Sequence, residues 1–189
     1  SEAGGSTPLC QSDRLIKQLL DRVPQLIDDL ESKGVQYTNV MPARADLDSG
    51  QGRSWQNTLG SKSKASAERR LRELDYTWEW LQGENLKVTT PVLTATRLLA
   101  DGRKVFFNQL IAAYRGWKDS RNKDSKKIQF GDGSDISEES MEVVCEIAEN
   151  ITYDHFWQKG DLLLVDNFLV MHGRRPFVGT RKVLASLSI

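Results

Sequence analysis

The C-terminal region of the chain, residues 160–187, reads GDLLLVDNFLVMHGRRPFVGTRKVLASL. A Gly-Asp turn leads into the apolar run 162–165, which is typical of a buried strand, and further strands are expected at 168–172 and 181–187. His172 closes the second of these strands, directly before a glycine and two arginines. From its position alone, His172 could face a pocket or could be a structural histidine whose hydrogen bonds are satisfied within the fold.

The pattern upstream predicts strands with a few helices. Helices are expected at 12–32, 65–74 and 137–150, and strands at 35–40, 77–81, 86–99 and 104–109. Pro24 interrupts the first helical run, so that the helix is kinked or two helices meet there. The segments 43–63 and 118–133 are polar and are expected to be mostly loop. This order lacks the regular strand–helix alternation of a doubly wound fold and favours a mainly β fold, with antiparallel sheets and flanking helices.

Composition and charge limit the classes of function. The 189 residues include 26 Lys and Arg and 26 Asp and Glu, so no net positive charge attracts nucleic acid or a membrane surface. The apolar share of 39% suits one folded domain over residues 1–189, and no apolar run is long enough to span a bilayer. The N-terminal residues have no signal-peptide pattern, and Cys10 and Cys145 are far apart. We therefore expect free thiols and a cytoplasmic protein.

Several blocks of the sequence resemble one enzyme family. Residues 160–167, the segment His172-Gly-Arg-Arg-Pro-Phe177 and the segment Gly179-Thr-Arg181 resemble the C-terminal signature of the TauD/TfdA oxygenases. Gly4-Gly5-Ser6-Thr7-Pro8 resembles the Gly-Gly-x-Thr block that follows the family's first metal motif. Shorter blocks resemble the subgroup called clavaminate synthase-like, namely Ser54-Trp55-Gln56, residues 77–81, Phe107-Asn108-Gln109 and residues 130–134.

The resemblance implies a fold and a site. Members of this family use Fe(II) and 2-oxoglutarate on a double-stranded β-helix, or jelly roll. By the resemblance, His172 is the distal histidine ligand of the iron. Arg181 and Thr7 are implied to bind the far carboxylate of 2-oxoglutarate, for which a planar guanidinium is suited. Asn108 is implied near the substrate. Ala185 stands where taurine-type members have an arginine for the sulfonate, so a taurine-like substrate is not expected.

The family's first pair of iron ligands, His-x-Asp or His-x-Glu, is missing from this sequence. The chain has two histidines, His155 and His172, and neither begins such a motif. We expect His155 to be structural or exposed. The chain is then either the C-terminal portion of a longer oxygenase, with a jelly roll incomplete on its N-terminal side, or a degenerate binding module that has lost iron. We expect the first, and an isolated chain that is inactive.

The expected function is that of an Fe(II)- and 2-oxoglutarate-dependent dioxygenase of the hydroxylase type. Its expected partners are O2 and a small polar or carrier-bound amino-acid-like substrate, with neither nucleic acid nor membrane among them. Each residue assignment at this site comes from the resemblance, because composition and periodicity do not identify ligands.

Overall fold

The computed structural model describes residues 3–46, 52–116, 121, 127–180 and 182–187. The strands are β1 (Ala3–Gly4), β2 (Thr7–Gln11), β3 (Val35–Met41), β4 (Thr77–Trp80), β5 (Leu86–Thr89), β6 (Thr96–Leu98), β7 (Lys104–Phe106), β8 (Ile128–Phe130), β9 (Tyr153–His155), β10 (Val170–His172) and β11 (Phe177–Val178). The helices are α1 (Ser12–Arg22), α2 (Pro24–Lys33), α3 (Trp55–Leu59), α4 (Lys64–Glu73), α5 (Leu110–Gly116) and α6 (Glu138–Ile151). The described chain is thus rich in strands that are accompanied by helices.

The predicted helical run at 12–32 is two helices. Pro24 is the first residue of α2, a position where its missing N–H breaks no helical hydrogen bond. Val23 between the helices has a φ of −139°, outside the helical region. Of the two alternatives at Pro24, the structure therefore has two helices that meet. The predicted helix at 137–150 is also confirmed, and the side chain of Ser137 caps α6 by accepting from the Ser140 N–H.

The main core lies between α1, α2 and α6, with β7 packed against α1. Its members are buried aliphatic and aromatic side chains, among them Leu15, Leu19, Ile27, Phe106, Met141 and Val144. Cys10 belongs to this core, and Cys145 is buried too; both are free thiols, as predicted. Burial raises the pKa of each thiol, because the thiolate would lose its hydration.

The described strands pair antiparallel in four small sheets. A four-stranded sheet has the order β4-β5-β3-β8 and packs a second core around Trp55, Leu71 and Leu86. A three-stranded sheet has the order β10-β2-β9, so that β2 pairs with a strand on each side. The remaining pairs are β6 with β7 and β1 with β11. The three-stranded sheet carries two of the residues that the resemblance singles out.

Two predicted strands are wrong for the described chain. Residues 162–165 form no strand, and Leu162 and Leu164 are 95% and 93% exposed. Residues 182–187 form no strand either, and Leu184 and Leu187 are 84% and 93% exposed. A strand needs a partner for its N–H and C=O groups and a surface to cover its apolar face, and no described residue pairs with either segment. Both segments have the apolar pattern of a strand, but these four leucines are not buried.

Smaller differences concern local signals. The segment 43–63, predicted as mostly loop, contains α3, which begins after the capping side chain of Ser54. The predicted loop 118–133 contains β8, and part of this loop lies outside the described residues. The predicted strand 86–99 is divided into β5 and β6, and between them Leu93 forms an isolated antiparallel bridge with Val35 of β3. Within the part of the chain that the structure describes, no helix is long and apolar enough to cross a membrane.

Candidate functional site

Strand β2 brings Thr7 and His172 to one face of the three-stranded sheet. Thr7 pairs with His155 on β9, and Leu9 pairs with His172 on β10. Side chains two residues apart on a strand share a face, and so do directly opposed residues of antiparallel strands. Thr7, Leu9, His155 and His172 therefore lie on one face, which we call the Thr7 face. Pro8 and Cys10 lie on the other, and Cys10 there joins the main core.

Thr7 is buried, and its hydroxyl is held by Trp157. The indole Nε1 of Trp157 donates to Thr7 Oγ1 at 2.8 Å. An indole N–H can only donate, so the threonine oxygen is the acceptor in this contact and the hydroxyl proton is not used in it. This hydrogen bond therefore orients the oxygen of the Thr7 hydroxyl toward the Trp157 indole. No local sequence pattern predicts this contact, because the two residues are 150 positions apart.

His155 takes part in the same cluster of side chains. Its ring meets that of Trp157 edge-on, with centroids 4.8 Å apart and planes at 85°. Its Nε2 lies 3.2 Å from Oδ2 of Asp161, which also accepts the N–H of Gln158 at 2.8 Å. The His155 side chain is 24% exposed. These contacts with Trp157 and Asp161 fit the expected structural role for His155.

His172 is exposed at the end of β10. Its Nδ1 is 3.5 Å from the carbonyl oxygen of Val170, at the long limit of a hydrogen bond. A ligand histidine commonly has one ring nitrogen on a carbonyl while the other binds the metal. The exposed ring of His172 is compatible with that arrangement.

Asn108 has a structural role that its sequence block did not reveal. Its Nδ2 donates to the Ala95 carbonyl at 2.8 Å, and its Oδ1 accepts the Leu110 N–H at 2.9 Å. The second bond satisfies an N–H in the first turn of α5, which has no partner inside the helix. The same residue lines a cavity of about 590 Å³. The amide is therefore fixed by the fold at the cavity wall.

The cavity lining is apolar and neutral polar, with one charged group among the described lining residues. Tyr37, Phe107 and Leu93 supply apolar surface, and Arg53 supplies the charge. Burial raises the pKa of Tyr37 to about 12, and its hydroxyl accepts the Gln109 N–H at 3.0 Å. Tyr37 is consequently neutral at physiological pH.

The cavity and the three-stranded sheet are joined through two phenylalanines. The ring of Phe107, in the cavity wall, packs on that of Phe168 with centroids 5.3 Å apart. Phe168 precedes β10, and its carbonyl accepts the hydroxyl of Ser12 at 3.1 Å. An apolar contact thus links the cavity wall to the segment that leads into His172.

Comparison with known proteins decides the family. The model of the family described as taurine catabolism dioxygenase TauD, TfdA family, matches residues 1–187. The chain belongs to the TauD/TfdA family. A clavaminate synthase-like protein of Arabidopsis thaliana is 36% identical over 187 residues, which are 98% of this chain and 57% of that protein. The dapdiamide synthesis protein DdaC of Enterobacter agglomerans is 28% identical over 196 residues, covering 97% of this chain and 56% of DdaC. This TauD/TfdA chain thus spans somewhat more than half the length of both relatives.

The described part of this TauD/TfdA chain does not by itself supply an iron site. No group of three or more His, Cys, Asp or Glu side chains among the described residues is arranged to hold a metal ion. The His, Asp and Glu side chains of the described residues therefore do not fit an iron site of two histidines and one carboxylate. Arg181 lies outside the described residues, so its assignment stays a prediction.

Proposed function

We propose that the protein containing this chain is an Fe(II)- and 2-oxoglutarate-dependent dioxygenase of the hydroxylase type. The observation that carries the proposal is the shared face of Thr7 and His172, since co-substrate and metal must be neighbours in such an enzyme. Membership of the TauD/TfdA family supports the same reaction class.

The metal ligands are proposed to come from two parts of the protein. His172 supplies one ligand from the end of β10. The other two ligands are proposed to belong to a segment outside residues 1–189, because residues 1–189 contain no His-x-Asp or His-x-Glu motif. The described residues do not form the iron site alone.

Thr7 and Arg181 are proposed to bind the distal carboxylate of 2-oxoglutarate. The Trp157 N–H is directed at the oxygen of Thr7, which orients the hydroxyl. A carboxylate beside this hydroxyl would accept a hydrogen bond from it, and a guanidinium would add two parallel charge-assisted hydrogen bonds. Burial around Thr7 strengthens such bonds, because water competes less there.

The exposed apolar segments support a jelly roll that other parts of the protein complete. Residues 162–165 and 182–187 have the apolar character of strands but no partner strand among the described residues. We propose that both become strands of a double-stranded β-helix when a segment outside this chain pairs with them. Leu162 and Leu164, which share one face of such a strand, would then be covered by the completed fold.

The substrate is proposed to be a small polar or carrier-bound amino-acid-like molecule held in the cavity beside Asn108. About 590 Å³ suits a small ligand, and the amides and hydroxyls of the lining suit hydrogen bonding. The lone charge of Arg53 among the described lining residues favours a substrate that carries a carboxylate. Ala185 offers no cation for a sulfonate.

One observation favours a second candidate function, a binding module without catalysis. The chain lacks the first ligand pair, and a relative that has lost iron would lack it as well. Such a module would keep the cavity and the Thr7 face but bind no metal. Iron binding by the full-length protein separates the two candidates.

The test compares the unaltered full-length protein with two histidine variants. Anaerobic titration with Fe(II) is expected to give one tight site, and His172→Ala is expected to abolish it. His155→Ala is the matched control, because His155 faces Asp161 and Trp157 and should leave the site intact. The proposal fails if the unaltered protein binds no Fe(II), or if His172→Ala binds it as tightly as the unaltered protein.

A further inference from the structure

Arg175 bridges two carboxylates behind the Thr7 face. Its Nε and Nη2 donate to the two oxygens of Asp154 at 3.0 and 3.1 Å. Its Nη2 and Nη1 donate to the two oxygens of Glu149 at 2.7 and 3.3 Å. One guanidinium therefore joins the segment after β10 to β9 and to α6. Only a planar group with several fixed donors can make this double bridge.

The bridge also includes the chain segment that leads into β2. Ser6 is buried, and its hydroxyl donates to Oδ1 of Asp154 at 2.8 Å. The backbone N–H of Arg175 donates to the Ser6 carbonyl at 3.1 Å. Ser6, Asp154 and Arg175 thus form one connected group, which we call the Arg175 clamp.

Each member of the Arg175 clamp is close in sequence to a residue of the Thr7 face. Ser6 precedes Thr7, Asp154 precedes His155, and Arg175 follows His172 by three residues. Since adjacent side chains of a strand point to opposite faces, Asp154 lies behind the sheet while His155 lies in front. The clamp therefore fixes the relative positions of the three segments from the side that no ligand of the Thr7 face would contact.

The charges of the clamp stabilise one another. The Arg175 guanidinium, assisted by the Ser6 hydroxyl, holds the pKa of Asp154 below its usual range. Asp154 and Glu149 in turn raise the pKa of Arg175. The side chains of Arg175 and Asp154 are 33% and 29% exposed, so the pair is only partly screened by water. The bridge stays charged at neutral pH.

We propose that Arg175 is a positioning residue for 2-oxoglutarate, which acts through Asp154 and Ser6 to set Thr7 against the β10 segment that ends at His172. The inference rests on the proposed function, because it takes Thr7 as a co-substrate contact. Arg175 itself touches neither the co-substrate nor the metal. Its loss would leave the residues of the Thr7 face present but displaced from one another.

The experiment measures 2-oxoglutarate binding by anaerobic calorimetry, with Fe(II), in the full-length protein. Arg175→Gln is expected to weaken binding about tenfold or more, the range in which supporting residues behind a site act. Arg175→Lys keeps the charge but not the double bridge, so it should fold and still bind more weakly than the unaltered protein. Arg115→Gln is the matched control, because Arg115 contacts the same Glu149 at 3.5 Å without joining the clamp.

A double-mutant cycle separates positioning from a general loss of stability. In a Thr7→Val background, Arg175→Gln is expected to cause little further loss of 2-oxoglutarate affinity, although it still lowers the unfolding temperature. The inference is overturned if Arg175→Gln and Arg175→Lys bind 2-oxoglutarate normally, or if Arg175→Gln weakens binding equally with and without Thr7. A full-length protein that binds no 2-oxoglutarate at all would instead overturn the proposed function, and the inference with it.

Discussion

The indole N–H of Trp157 donates to the hydroxyl oxygen of Thr7 at 2.8 Å, across 150 positions of sequence. This bond connects the segment after β9 to the first residue of β2. It places Trp157 in the surroundings of the proposed co-substrate contact. Its consequences can be measured separately for stability and for ligand binding.

Trp157→Phe is expected to lower both stability and 2-oxoglutarate affinity. The variant leaves the buried Thr7 oxygen without its indole donor, which costs about 1–3 kcal/mol in the free energy of unfolding. Trp80→Phe is the control, since it removes an indole bond to Glu68 in the second core. We expect Trp80→Phe to affect urea denaturation but not calorimetric binding of 2-oxoglutarate. Equal affinity loss in both variants would contradict the role given to Trp157.

Asn108 should contribute to stability through its hydrogen bond with the first N–H of α5. Asn108→Ala removes the acceptor for the Leu110 N–H and is expected to cost about 0.5–2 kcal/mol. Asn108→Asp keeps this acceptor and loses the donor to the Ala95 carbonyl, so it should recover part of the loss. Thermal unfolding of the two variants provides the measurement. If Asn108→Ala unfolds at the same temperature as the unaltered protein, the hydrogen bond between Asn108 and the Leu110 N–H does not contribute to stability.

The lowered pKa of Asp154 predicts how the stability of the protein changes in acid. Its pKa is lowered in the folded protein, chiefly by Arg175, relative to an unfolded value of about 3.9. The stability that it contributes is therefore complete above about pH 4 and is lost as the pH falls through the lower, folded pKa. Asp154→Asn should flatten this part of a curve of unfolding free energy against pH. If Asp154→Asn loses stability at low pH in the same way as the unaltered protein does, the ion pair of Asp154 with Arg175 does not contribute to folding stability.

The exposed leucines at 162 and 164 should make residues 1–189 associate when they are produced alone. Both side chains are more than nine-tenths exposed, and an unpaired apolar segment readily pairs with another chain. Replacing both with lysine is expected to reduce association in light scattering at equal concentration. Leu74→Lys, at a separate site that is 37% exposed, is the control. A monomer without any substitution would contradict the expectation.

The sequence predicted best where a signal is local. Pro24 marked the junction of α1 and α2, and Ser137 marked the start of α6. Ser54 carried a cap signal as well, yet the polar surroundings of α3 concealed it. The apolar run at 162–165 resembles a buried strand, but burial depends on a partner that local sequence cannot supply.

The candidate site could be predicted only in part. The resemblance singled out Thr7 and His172, and the register of β2 with its neighbours places them on one face. Arg175 and Trp157 could not be assigned in this way, because their contacts with Asp154 and Thr7 join distant parts of the chain. Such contacts depend on strand register and on the path of the segment after β10, which apolar periodicity does not determine.

We propose that residues 1–189 supply part of an oxygenase site and that the first iron ligands lie elsewhere in the protein. The most direct test of this proposal measures iron content and succinate formation from 2-oxoglutarate for residues 1–189 and for the full-length protein, prepared in the same way. We expect stoichiometric iron and succinate from the full-length protein, and neither from residues 1–189. Turnover with stoichiometric iron by residues 1–189 would contradict the ligand assignment, and inactivity of both would contradict the oxygenase.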